Sequence, residues 1–217
     1  MLAGARARLD RVTIAKGAAA AALVAACLAC HPDSVPVAAF WYEDGALTLP
    51  RAADTGLGGP LTDHEIESIR QISRNEVEKA FAGLRIVIGE TRRGFWHVAV
   101  VQDVPRRSPH PLPSSGESIP LGPLGGYGSV GFVAVTLAAM RYAPADASRQ
   151  MIVEGIGRGI GRVAAHEFGH QILGPSAAHS DDDESSYEYG SPDRAAQYYG
   201  QLHWAKWRPL LQRRLGR

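Results

Sequence analysis

Val163-Ala164-Ala165-His166-Glu167-Phe168-Gly169-His170-Gln171-Ile172-Leu173-Gly174-Pro175-Ser176-Ala177-Ala178-His179-Ser180 is the stretch around which the rest of the chain is organised. It sets His166, Glu167 and His170 in the order H-E-x-x-H, then a Gly-Pro break, then His179. Residues four apart on a helix lie one above the other on one face, so His166 and His170 are expected to aim two imidazole nitrogens at one point. A tetrahedral Zn²⁺ needs that convergence. Glu167, beside the first imidazole, is placed to take a proton from water at such a metal. H-E-x-x-H alone is short enough to arise in helices that bind nothing, and the residues after it give it weight. Pro175 lacks an amide hydrogen and Gly174 accepts a turn, so the helix stops there. His179 then stands on the returning chain, where a third ligand is needed; a carboxylate oxygen from Asp181 is the substitute.

Val163 to His170 resembles the active-site helix of the metzincin metallopeptidases, the matrixins in particular, whose longer pattern is H-E-x-x-H-x-x-G-x-x-H. Here Gly174 comes one residue late and His179 three residues late; a longer loop at this point occurs in the leishmanolysin branch. Metzincins also carry a methionine turn beneath the metal, whereas Met1, Met140 and Met151 all lie upstream of the motif. Ser185-Ser186-Tyr187-Glu188-Tyr189-Gly190 is similar to the S-x-M-x-Y-G turn of astacins, with Tyr187 where the methionine would stand. That resemblance implies Tyr189 as the tyrosine that steadies the oxyanion; the other reading is that both tyrosines pack a loop. A thermolysin-like site fits less well, because Glu184 and Glu188 sit in a polar turn region rather than on a second helix.

The resemblance thus implies a metzincin-like α+β fold: a twisted mixed sheet, an active-site helix and a C-terminal helix under the metal. It implies Zn²⁺ on His166, His170 and His179, with Glu167 as the base that hydrolyses peptide bonds of an extended peptide or protein substrate. A zinc- or protein-binding lipoprotein without turnover is the alternative. The chain is expected to be a monomer.

Residues 1–30 look like a bacterial secretory leader. Arg6, Arg8, Arg11 and Lys16 form its positive end, and Ala18 to Ala29 its apolar run, too short to span a membrane. Val24-Ala25-Ala26-Cys27 resembles a lipobox, which implies an acylated Cys27 and a membrane anchor outside the cytoplasm; Cys30 fits less well, and a secreted protein is the other outcome. Both cysteines of the chain lie there, so residues 31–217, read as one domain, have no disulfide. The net charge of +1 provides no footprint for nucleic acid. Arg208, Arg213, Arg214 and Arg217 read as a solvated helix end.

Within the body, Ala38 to Tyr42 is strand-like. Thr62 and Glu65 form a capping box for a helix bearing Ile66, Ile69, Ile72, Val77 and Phe81, and running to Gly83. Leu84–Ile88 and Phe95–Val101 read as two strands joined by a turn, the second buried on both faces, with His97 a histidine of the core or one supporting a ligand rather than a ligand itself. Asp103 to Gly125 reads as a long loop with too few carboxylates for calcium. Tyr127 to Ala139 reads as a strand, with Gly131 to Val135 as the rim on which a substrate would pair. Gly155, Gly157, Gly159 and Gly161 imply close packing against a strand or a helix that begins late. Asp181 to Glu184 reads as a solvated acidic loop, and Asp193 to Leu215 as a closing helix whose packing includes His203.

Overall fold

Two helix starts are tied together at one carboxylate. In the computed structural model, which describes residues 34–104 and 115–217, the Thr62 hydroxyl accepts the Glu65 amide at 3.3 Å and the Glu65 carboxylate accepts the Thr62 amide at 2.8 Å. This is the expected capping box, and it opens a helix over Asp63–Ala80. Glu65 also pairs with Arg149 at 2.6 Å, the first residue of a second helix, Arg149–Leu173. The expected leader with Cys27 and Cys30 lies outside the described residues.

In chain order the strands are β1 (Val37–Tyr42), β2 (Val87–Gly89), β3 (Trp96–Val101), β4 (Gly116–Pro120) and β5 (Gly126–Gly131). The helices are α1 (Arg51–Gly56), α2 (Asp63–Ala80), α3 (Phe132–Arg141), α4 (Arg149–Leu173), α5 (Ala196–Tyr199) and α6 (Trp207–Leu215). The strands form one five-stranded sheet in the order β2-β1-β3-β5-β4, parallel except for β4. The fold is therefore mixed α+β, and no described helix is long and apolar enough to cross a membrane.

β3 alternates as expected. Trp96, Val98 and Val100 enter the main core with Phe40, Ile69, Ile156 and Phe168, while Ala99 joins Ala39 and Trp41 on the opposite face.

Four expectations are corrected. β2 and β3 are not a hairpin: each pairs in parallel with β1, which lies between them. The connecting chain crosses the end of β1, where the Phe95 amide donates to the Val37 carbonyl at 2.8 Å. The run from Tyr127 to Ala139 is strand only to Gly131; Phe132, Val135, Thr136 and Ala139 recur at helical spacing and are buried, forming α3. The loop read over Asp103 to Gly125 contains β4, so the antiparallel strand beside the motif helix is Gly116–Pro120, not Gly131 to Val135. The closing helix is two short helices, α5 and α6, separated by residues 200–206, and His203 is exposed, with its ring 3.2 Å from Asp183.

The four alternating glycines lie inside α4, where they pack against helices rather than a strand. A Cβ at Gly161 would stand 2.7 Å from Cβ of Glu76 and closer still to the Ser73 carbonyl oxygen, both on α2. Ala for Gly gains up to about 1 kcal/mol of helix propensity. Overpacking costs about 1–3 kcal/mol, and the Ser73 backbone cannot step aside cheaply. Gly161→Ala is thus expected to lower stability by about 1–2 kcal/mol, read as a lower urea midpoint with an unchanged denaturant slope.

Candidate metal centre

α4 runs unbroken through the motif to Leu173, and Gly174, at φ 56°, takes the positive-φ turn that ends it. His166 and His170 stand one turn apart with ring centroids 4.6 Å apart. The returning chain brings His179 to them. Nε2 of His170 lies 3.0 Å from Nε2 of His166 and 2.9 Å from Nε2 of His179. The three ligand atoms lie within 4.8 Å of one another, so His166, His170 and His179 are close enough to bind one metal ion. Two nitrogens on a tetrahedral Zn²⁺ would be about 3.3 Å apart, close to the two shorter separations here.

The orientation of His166 is fixed from behind. Its Nδ1 donates to the Tyr187 carbonyl at 2.6 Å, which leaves the Nε2 lone pair facing the other rings. That carbonyl is held by a loop with little regular structure. Glu188, fully buried, accepts the backbone amides of Ala205 at 3.2 Å, Trp207 at 3.0 Å and Lys206 between them, at the start of α6. The Arg194 guanidinium donates to the carbonyls of Glu184 at 2.6 Å, Ser186 at 2.8 Å and Ser191, and lies 4.7 Å over the Tyr189 ring. The Ser180 amide, next to His179, donates to the Glu188 carbonyl at 3.0 Å.

Glu167 faces a cavity of about 560 Å³ that the three histidines, Tyr189 and β4 also line. β4 touches it closely: a Cβ at Gly116 would run into Oε1 of Glu167, and the Ser118 hydroxyl donates to the Glu167 carbonyl at 3.2 Å. Burial, and then the carboxylate of Glu117, push the Glu167 carboxyl up to about 8. Burial lowers His166 to about 3 and His170 to about 4; the nearby charge of His170 adds to the first shift and that of His179 to the second. Both imidazoles are therefore neutral at pH 7, the form that binds metals.

Asp181 is exposed and lies outside the metal-binding group among the described residues. His97 is not part of it: its ring stacks 6.2 Å from Tyr127, and its backbone amide and carbonyl are each 3.0 Å from the Gln171 side chain. The acidic loop is solvated as expected, Asp182 pairing with Lys206 at 2.8 Å. Glu188 and Arg194 carry no sequence signal for their role, because their partners are backbone groups. Gly116 sits in a Ser- and Gly-rich stretch that hides β4.

The chain matches no protein-family model and no curated protein. Fold and site together define a mixed α+β protein with a three-histidine cluster able to take a metal ion.

The pKa shifts make opposing demands on the metal-free protein. Glu167 is raised from 4.5 to about 8, so its contribution to stability is complete below pH 4.5 and is lost as pH rises through 8. His166 and His170 are lowered from 6.5, so their contribution is present above pH 6.5 and falls away towards pH 4 and 3. In urea titrations of the metal-free protein, Glu167→Gln is expected to exceed the wild type in stability at pH 9 and to match it near pH 5. Equal midpoints at pH 9 would contradict the raised carboxyl.

Proposed function

We propose that the protein is a zinc-dependent endopeptidase with a metzincin-like site, acting outside the cytoplasm behind the leader-like residues 1–30. The observation that carries this reading is the convergence of three imidazole Nε2 atoms beside a buried glutamate of the same helix, on a cavity bordered by an edge strand. Imidazole nitrogens with two separations of 3.0 and 2.9 Å fit the tetrahedral ligand set of Zn²⁺. When bound, Zn²⁺ supplies a Lewis acid that polarises a carbonyl and lowers the pKa of water.

The chain's own groups do the rest. Glu167 takes a proton as water oxygen bonds to the scissile carbonyl carbon, and gives that proton to the amine as the C–N bond breaks. Its burial suits it to hold a proton between the two events. Tyr189, lining the cavity, donates its hydroxyl to the carbonyl oxygen as negative charge develops. β4 ends the sheet and lines the cavity, so an extended peptide laid along it would pass the histidines; this moves the expected pairing rim from Gly131–Val135 to Gly116–Pro120.

The test is zinc content and cleavage of a mixed peptide library. One zinc per chain is expected, with Glu167→Gln retaining the metal and losing at least about 10²-fold in kcat. His179→Ala is expected to lose zinc affinity. Bound zinc without cleavage of any peptide would instead indicate a zinc-binding protein without turnover, and no zinc after reconstitution would end both readings.

A further inference from the structure

Trp207 opens α6, far along the chain from the histidines, and is among the largest side chains buried in the core, at 1% exposure. It reaches all three histidines by different routes. Its indole stacks on His166 with centroids 5.6 Å apart and planes 26° apart. It meets His170 edge-on at 5.0 Å and 73°. Its Nε1–H donates to the carbonyl of Ala178 at 2.8 Å, the residue before His179. Gly169, between the two helical histidines, makes room for it: a Cβ there would lie 2.5 Å from the indole. From behind, Trp204 stacks on Trp207 at 5.6 Å, and Glu188 accepts the Trp207 amide at 3.0 Å.

We propose that Trp207 is a positioning residue of the metal centre, setting the planes of His166 and His170 with its rings and the place of His179 with its N–H. This rests on reading the three histidines as ligands. Stacked and edge-on contacts favour particular ring orientations. Each imidazole turns about two side-chain bonds, and an ordered ligand set loses less freedom when it closes on an ion. The Tyr187 carbonyl holds the His166 ring from behind, whereas the indole meets the His170 ring directly and ties down the residue before His179.

The test compares the full chain with Trp207→Phe, which keeps a stacking ring but removes the N–H, and with Leu211→Ala. Leu211 is fully buried on the same helix and controls for lost packing alone. Zn²⁺ affinity is read by competition with a chromophoric chelator, and ligand geometry by the visible spectrum of the Co²⁺ form. Trp207→Phe is expected to weaken Zn²⁺ binding about 10-fold and to change the Co²⁺ spectrum. Leu211→Ala is expected to lower the urea midpoint yet keep Zn²⁺ affinity within about twofold. Because the N–H acts through His179, His179→Ala should cost less affinity in the Trp207→Phe background than in the wild type. Wild-type affinity and spectrum in Trp207→Phe, or an equal affinity loss in Leu211→Ala, overturns the assignment while leaving the zinc reading intact. No Zn²⁺ binding by the wild type overturns both.

Discussion

The close approach of α4 to its neighbours is the constraint on which the rest of the structure depends. Gly157 and Gly161 let it lie against Ile72, Ser73 and Glu76 of α2, and Gly155 and Gly159 let it lie against Tyr199 and Tyr198. A helix with larger residues there would stand off by the width of a side chain, and the sheet and the histidines would separate. With the glycines, one 25-residue helix is packed into the core along its length and carries His166 and His170 in its second half. Arg162 fixes its rotation. Its buried guanidinium meets Glu76 at 2.7 Å and the carbonyls of Ala196, Gln197 and Gly200 at 3.0 Å each. A buried charge left without such partners would be strongly destabilising.

The second half of the centre is built differently. Residues 180–206 have little helix or strand to absorb their backbone groups, and the buried side chains of Glu188 and Arg194 take over that task. Glu188 collects the amides at the start of α6, where the helix dipole favours negative charge, and Arg194 collects carbonyls from the opposite side. Between them the Tyr187 carbonyl is presented to His166. Rigid helix and clasped loop therefore hold opposite sides of the same histidine.

What could be read from sequence is what is local. The four-residue spacing of His166 and His170, the Gly174-Pro175 stop, the capping box at Thr62 and the alternation of β3 all depend on near neighbours, and all appear in the structure. The approach of His179 was legible because the helix had to end before it. Sheet order was not, because nothing in Leu84–Val101 distinguishes a hairpin from two strands flanking β1. Phe132 to Ala139 is apolar enough to suit either period, and burial against α4 decided for helix. Glu188, Arg194 and Trp207 meet the site through carbonyls, amides and ring faces, which leave no spacing pattern to read.

Burial does two things to this site at once. It keeps His166 and His170 neutral, so their lone pairs remain available, and it keeps Glu167 protonated near neutral pH. The second effect, taken alone, leaves the glutamate without the charge that the proposed role of base would need. Positive charge brought among the histidines reverses that bias, since an opposite charge nearby favours the carboxylate. On the proposed reading, filling the histidine cluster with a metal ion and ionising Glu167 would therefore be one coupled equilibrium rather than two separate properties. Such coupling would depend on Glu167 being adjacent to His166 in sequence and closely packed by β4, an approach that Gly116 permits.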